Sequence, residues 1–355
     1  MSSFAAVADL PLTIESYALD VRRRAVSVEF ERVTTVIGLH GAGQEGLGED
    51  VTYGVDEQLH QEAVGPVLPI AGTWTLRSFS EHLATLDLFH GQGTDLPAYR
   101  EYRVWAFESA ALDLALRQSE TSLHEVLGRD PQPVRFVVSI RLGDPPSADA
   151  VLERIAAYPG VRFKLDPEPN WSQPFIAELA ATGAVDVLDF KGLYKGTPVD
   201  VVTDDVLYRR CAEAFPMAWL EDPDLSHEGA AAALLPHRDR VTWDANIHSV
   251  DDVLGLPFAP KTLNCKPSRF GSVQKLFDFY DHCAGNGIGL YGGGQSELSV
   301  GRGHLQLLAS LFHPGTSNDI APSGWDHADW AREGLPVSPL DPDPAPVGFR
   351  RRGVA

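Results

Sequence analysis

The sequence predicts an α/β protein. A parallel barrel of strand–helix units forms its centre, an α+β segment precedes it, and an extended arm follows. Three observations lead there. From about residue 134, short apolar runs alternate with amphipathic segments. Five of those runs end in a charged residue at near-regular intervals. Ahead of them, residues 11–58 read as a β-meander, with Gly and Asp between strand-like stretches.

In the first part, Leu12 to Leu19 and Thr34 to Leu39 are strand-like, and 75–90 and 99–118 have helical spacing. In the second helix Trp105, Ala106, Ser109, Leu112, Leu114 and Leu116 form a broad apolar surface with small residues for close packing. The later apolar runs are Phe136–Ile140, Val161–Leu165, Val185–Phe190, Ala218–Leu220, Val241–Trp243, Thr262–Cys265 and Ile288–Tyr291. Between them, 148–158, 173–182, 203–214 and 272–283 are amphipathic. Seven or eight units in this length suit a closed parallel barrel, with an open doubly wound sheet as the alternative. The Pro- and Asp-rich stretch after residue 330 reads as an arm packed back on the first domain. The expected division is therefore 1–130, 131–330 and 331–355.

A formal charge of −20 in 355 residues repels phosphates and anionic lipid, which argues against nucleic acid and membrane partners. An anionic substrate then needs a local positive centre. Three cysteines without a CxxC pair, no basic leader and no long apolar run favour a soluble protein in a reducing cytoplasm.

The chemistry lies where the strand-like runs end. Lys164, Asp189, Glu221, Asp244 and Lys266 follow one another at steps of 25, 32, 23 and 22 residues, each about one strand–helix unit. Parallel barrel strands all end on one face, so these side chains converge there. A single acid at a strand end is more often an ordinary loop residue; five in register are not. Three carboxylates crowded together need a hard cation, and an all-oxygen set suits Mg²⁺ or Mn²⁺. A lysine near that cation and a second lysine should have its pKa lowered toward neutrality, which makes a base.

The segments AFESAALDLAL (106–116), VRFKLD (161–166), WLEDP (219–223), VTWDANIHSVDDV (241–253), NCKPSRFGSV (264–273) and GGGQSELSVGRGHLQLLASLFHP (292–314) resemble the enolase superfamily. The resemblance spans most of the chain. It implies a capping domain on a TIM-like (β/α)₇β barrel, with Asp189, Glu221 and Asp244 as metal ligands and Lys164 and Lys266 as acid/base lysines. It also implies a small carboxylate substrate, an enediolate stabilised by the metal, and a homo-oligomer. The seventh strand, GIGLYGGG, has no histidine, so the chain resembles the muconate-cycloisomerase-like branch rather than mandelate racemase. The reactions implied are racemisation or epimerisation, cycloisomerisation, or syn dehydration as in o-succinylbenzoate synthases.

Three departures from the family pattern bear on the site. The strand-two pair, Lys-x-Lys in relatives, is filled here by Arg162 and Lys164 or by Lys164 and Asp166; alternation places all three on one face, and we favour the first register. Under the second, Asp166 stands in place of a catalytic lysine. Lys191 stands where relatives often carry Asn, and either enters the site or pairs with a carboxylate. The late Asp-x-Asp of dipeptide epimerases is represented only by Asn318-Asp319-Ile320.

Other signals carry less. The match to G-x-G-x-x-G at 41–46 opens no helix and reads as a turn, which disfavours a dinucleotide oxidoreductase. Gly292–Gly294 allow close backbone approach at the mouth. Glu297 caps the next helix or contacts substrate, capping being favoured. Arg22–Arg24, in a loop that closes over substrate in relatives, are solvated by default or grip a distal anion. The rival functional reading is a non-catalytic relative that binds a metal or a carboxylate ligand.

Overall fold

The computed structural model describes residues 2–25, 31–197, 199–325, 327 and 329–353; residues 26–30, part of the expected substrate-closing loop, lie outside the described residues. The first part contains β1 (Pro11–Ile14), β2 (Ser16–Ala25), β3 (Glu31–Gly41), β4 (Gln44–Asp50) and β5 (Gly72–Thr75). Strands β2, β3 and β4 form an antiparallel meander, and β1 pairs antiparallel with β5. Ala42 and Gly43 make the two-residue turn between β3 and β4, at φ 50° and 73°. The glycine-rich motif is thus a hairpin turn, as its sequence context indicated.

Helix Ala98–Gln118 lies directly on β4. A Cβ on Gly48 would fall 1.9 Å from the carbonyl oxygen of Ala106, and one on Gly46 would fall 2.2 Å from that of Ala110. The small residues of both elements therefore let backbone touch backbone.

The barrel strands are β6 (Val138–Ile140), β7 (Phe163–Leu165), β8 (Val185–Asp189), β9 (Trp219–Glu221), β10 (Val241–Thr242), β11 (Thr262–Cys265) and β12 (Gly289–Gly292). Strands β6 to β10 form one parallel ladder in sequence order, and β11 and β12 form another. Single backbone bonds span the gaps. The Asn264 amide donates to Trp243 O at 3.1 Å, between β10 and β11. Asp319 N donates to Gly292 O at 2.7 Å, and Val137 N to Asn318 O at 2.8 Å, so residues 318–319 stand as a short eighth strand between β12 and β6. In this ring β7 and β11 lie diametrically opposite, with β8, β9 and β10 between them on one side. Among the described residues no helix is long and apolar enough to cross a membrane.

The arm after residue 330 bonds both to the barrel and to the first part. Val134 and Leu340 exchange backbone bonds of 2.8 and 2.7 Å, and Gly348 N donates to Thr121 O at 2.8 Å. Phe349 stacks on His304 with ring centroids 4.3 Å apart. Asp113, fully buried, accepts from Leu47 N (3.1 Å), Phe349 N (2.7 Å) and Arg350 Nε (2.5 Å), tying meander, helix and arm together.

Two buried charges lock the meander to the barrel mouth. Glu49 of β4 accepts from Leu298 N (2.6 Å), Ser299 N (3.0 Å) and Gly301 N (2.9 Å), at the start of helix Val300–Phe312. It fills the capping role expected of Glu297, because that helix has no side-chain cap of its own. Arg32 directs all five donors at backbone carbonyls: Ser296, Val33, Thr52, Val51 and Gln295. Its guanidinium also sits 4.1 Å from the Tyr53 ring centroid.

Gly48→Ala should cost about 3 kcal/mol or more, because the helix backbone cannot yield to the new methyl. Glu49→Ala should cost about 2–4 kcal/mol by stranding three amides. Urea unfolding followed by tryptophan fluorescence checks both; a change below about 1 kcal/mol contradicts the packing described.

Candidate active site

Five strand ends deliver the five residues to one place. Lys164 on β7 is fully buried, its ammonium 2.5 Å from Glu221 Oε1, 3.1 Å from Asp189 Oδ2 and 3.5 Å from Asp319 Oδ2. Opposite, Lys266 follows β11, with its ammonium 2.7 Å from Asp244 Oδ2. Gly293 makes room for that chain: a Cβ there would sit 2.8 Å from Lys266 Cε.

The acids are buried and differently held. Glu221 Oε2 accepts from Tyr291 OH at 2.6 Å, and Oε1 from Asn264 Nδ2 at 3.2 Å. Asp189 accepts the backbone N–H of Lys191 at 3.1 Å and also pairs with its ammonium. Asp244 Oδ2 accepts from Tyr194 OH at 2.9 Å, while Arg269 Nε stands 3.2 Å from Oδ1 without forming a hydrogen bond. Asp222, in left-handed backbone at φ 48°, accepts from Asp244 N (2.8 Å) and Ala245 N (3.0 Å). It pins the end of β10 to the end of β9.

Arg162 is not part of this site. Its guanidinium bonds Asp186 Oδ1 and Gly183 O, where β8 begins, and strand starts open on the opposite end of a parallel barrel. The favoured register, Arg162 with Lys164, is thereby corrected: the residue paired with Lys164 at the mouth is Asp166. Asp166 Oδ2 lies 3.2 Å from Arg141 Nε, and Oδ1 lies 3.9 Å from Lys191 Nζ. Lys191, at φ 52°, does enter the mouth, on Asp189 and 5.3 Å from the Tyr194 ring centroid. Glu297 stays in its own turn, accepting from Gln295 N at 2.7 Å and standing 3.4 Å from Arg302.

Burial and crowding set the protonation of the cluster. Burial pushes Glu221 up to about 8; Lys164 opposes this, and Asp189, Asp244 and Asp222 reinforce it. Burial, with Asp244 and Asp189, pushes Asp222 up to about 7. Burial also works against charge on Asp189 and Asp244, but lysines 164 and 191 for the first, and Arg269, Lys266 and Lys164 for the second, hold both below the usual range. Lys164 goes the other way from the expected lowering. Burial disfavours its ammonium, yet Asp189, Glu221 and Asp319 outweigh it and hold the pKa well above the ordinary value.

The donor set fits a hard divalent cation. Ligand oxygens of Asp189, Glu221 and Asp222 lie within 4.8 Å of one another. Asp244 Oδ1, also buried, has no hydrogen-bond partner. With all of them ionised, Asp166, Asp189, Glu221, Asp222 and Asp244 against Lys164, Lys191, Lys266 and Arg269 leave one negative charge in excess, and the neighbouring Asp319 and Arg141 cancel. A dication and one substrate carboxylate bring the mouth to neutrality.

Sequence reasoning missed Asp222, Tyr194, Arg269, Asn264 and Tyr291. Asn264 had a signal, because it lies two residues before Lys266 on the same face of β11. Asp222 had none, since its orientation depends on a left-handed backbone that alternation does not foresee.

Comparison with known proteins places this geometry. The N-terminal domain model of a family described as a domain of unknown function (DUF8230) matches residues 5–126, and its C-terminal domain model matches 130–327. An o-succinylbenzoate synthase from Geobacillus kaustophilus is 26% identical over 237 residues, which is 61% of this chain and 58% of that protein. An N-succinylamino acid racemase from Amycolatopsis sp is 28% identical over 214 residues, 58% of this chain and 56% of that one. The chain thus spans little more than half the length of the curated relatives it matches. Among solved structures, an enolase superfamily member from Listeria innocua superposes with a TM-score of 0.69 at 19% identity, covering 97% of this chain and 95% of that one. A dipeptide epimerase from Methylococcus capsulatus complexed with a Mg ion gives 0.65 at 19%, covering 88% and 93%. Muconate cycloisomerase from Pseudomonas fluorescens gives 0.65 at 16%, covering 97% and 96%. The chain belongs to the DUF8230 family, matching both of its domains, and has the fold of the enolase superfamily.

Proposed function

We propose that this protein is a Mg²⁺-dependent isomerase or lyase that removes a proton from the carbon next to a substrate carboxylate. The observation that carries this reading is the placing of Lys164 and Lys266 on opposite sides of the ring, with the buried acids of β8, β9 and β10 between them. Asp189, Glu221 and Asp244 hold the ion, which Mn²⁺ can replace. Asp222 positions Asp244, since both of its oxygens already accept backbone N–H groups. When bound, the cation supplies positive charge for the substrate carboxylate.

As the neutral amine, Lys266 takes the α-proton and becomes the ammonium. It contacts one carboxylate, and the glycine run leaves its side chain room at the mouth. Lys164, clamped by three carboxylates, supplies fixed positive charge from the other side. Racemisation or epimerisation requires both lysines to exchange protons; cycloisomerisation and syn elimination require one. The relatives named for o-succinylbenzoate synthesis and N-succinylamino acid racemisation, together with the dipeptide epimerase structure that holds a Mg ion, support this reading.

The reaction is tested by incubating the protein with Mg²⁺ and a panel of carboxylic acids in D₂O and following the α-proton by NMR. Exchange is expected, and Lys266→Ala should slow it by about 10³-fold, within the usual range for losing a general base. Mn²⁺ binding, read by electron paramagnetic resonance, should survive in Lys266→Ala and be lost in Glu221→Gln. A panel in which no acid exchanges overturns the reading.

Metal removal should also show in stability. Glu221 and Asp222 have folded values of about 8 and about 7, above the ordinary 4.5 and 3.8. Between those limits the folded state holds protons that the unfolded state has released, so stability without metal falls as pH rises from about 5 to about 8. Mg²⁺ should therefore raise Tm more at pH 8 than at pH 5.5. Equal increments at the two pH values contradict this charge arrangement.

A further inference from the structure

We propose that Lys191 competes with the metal ion for Asp189: its ammonium holds that carboxylate in the free protein and passes to Asp166 when the ion arrives. This rests on the metal site proposed above and adds a residue that governs how tightly that site fills. Lys191 lies two residues beyond the end of β8, in left-handed backbone at φ 52°. A residue with a Cβ seldom adopts that conformation, and the surroundings must hold it there. Here it turns the side chain inward onto the acids. Lys191 meets Asp189 twice: its backbone N–H donates to Oδ1 at 3.1 Å, and its ammonium donates to Oδ2. Lys164 stands 3.1 Å from the same Oδ2. Two ammonium groups on one oxygen of a metal ligand oppose a dication, each with twice the force it would exert on a single charge.

Of the two, Lys191 is the one with room to leave. Lys164 is clamped by three carboxylates, with 1% of its side chain exposed, against 14% for Lys191. Lys191 also has a destination. Asp166 Oδ1 lies 3.9 Å from its ammonium, is buried, and accepts no hydrogen bond among the described residues. The other oxygen of Asp166 is already met by Arg141 Nε at 3.2 Å. A shift of about 1 Å brings the Lys191 ammonium within charge-assisted hydrogen-bond distance of Oδ1. A buried acceptor left unpaired is costly, so the new bond offsets part of what Lys191 gives up at Asp189.

Asp166 also lines a cavity of about 330 Å³ beside the acid cluster, together with Arg24, Arg141, Gly294, Ser296 and Asp319. Transfer of the ammonium covers the open carboxylate oxygen on that wall. Filling of the metal site and charge at the cavity are thereby linked through one side chain.

The test is titration of the full chain with Mn²⁺, read by electron paramagnetic resonance with no substrate present. Lys191→Asn is the first variant, because asparagine tolerates left-handed backbone and carries no charge. It should bind Mn²⁺ at least about 10-fold more tightly than the wild-type protein, since a like charge beside the ligand is gone. Asp166→Asn removes the destination; it should weaken Mn²⁺ binding about threefold or more in the wild-type chain, and by less than about 1.5-fold in the Lys191→Asn background. Two charges acting independently on the ion give the same factor in both backgrounds. Lys191→Met, uncharged and with a stem of similar length, supplies the same comparison if Lys191→Asn does not fold. Unchanged or weaker Mn²⁺ binding in the uncharged variant overturns the proposal, and so does an Asp166→Asn factor that is equal in the two backgrounds. Equal binding by the wild-type protein and the variant leaves the metal site standing and removes only the competitor. Binding by neither removes the metal site and the competitor together.

Discussion

The constraint on which the rest of this structure depends is the surplus of carboxylate charge sealed inside the barrel mouth. Asp189, Glu221, Asp222 and Asp244 are all fully buried at the ends of consecutive strands or just beyond them. A charge withdrawn from water is costly unless it is paired and hydrogen-bonded. The surroundings meet that demand with unusual density. Lys164, Lys191, Lys266 and Arg269 supply charge, and Tyr194, Tyr291 and Asn264 supply neutral donors. The raised values of Glu221 and Asp222 show where this falls short. A small, highly charged ion at this end of the barrel would meet the residual demand, which is the basis of the function proposed above.

The cap is coupled to that mouth largely by two side chains that bond backbone groups, alongside side-chain pairs such as Gln295 Nε2 donating to Tyr102 OH at 3.1 Å. Glu49 takes the amides of residues 298, 299 and 301, and Arg32 takes the carbonyls of 295 and 296. The loop after β12 is thus held on both of its hydrogen-bonding edges by the meander. Gly294 and Ser296, which line the cavity, belong to this loop.

Much of this is legible in the sequence. The strand ends at Lys164, Asp189, Glu221, Asp244 and Lys266 can be read because parallel strands place successive C-termini on one face, and that rule does not depend on detail. The meander turn at 42–43 can be read because no helix follows it. The strand-two register cannot. Alternation places Arg162, Lys164 and Asp166 on the same face, and only the strand's position along the barrel axis sends Arg162 to the far end while Asp166 reaches the mouth. The raised pKa of Lys164 is equally hidden, since its three carboxylate neighbours come from β8, β9 and the eighth strand, 25 to 155 residues away in the chain. Arg24 and Arg141 lie 117 residues apart and share a cavity that no periodicity describes.

The arm that follows the barrel has a bearing on how the polypeptide matures. Asp113 lies in the C-terminal half of the cap's long helix, yet two of its partners are Phe349 N and Arg350 Nε. During synthesis at the ribosome, the cap helix emerges more than 200 residues before these partners do, and its buried carboxylate must wait for them. Contacts of such long sequence separation close late and slowly. The cap helix is made before the barrel and the arm, so Asp113 gains these two partners only after the whole barrel has been synthesised.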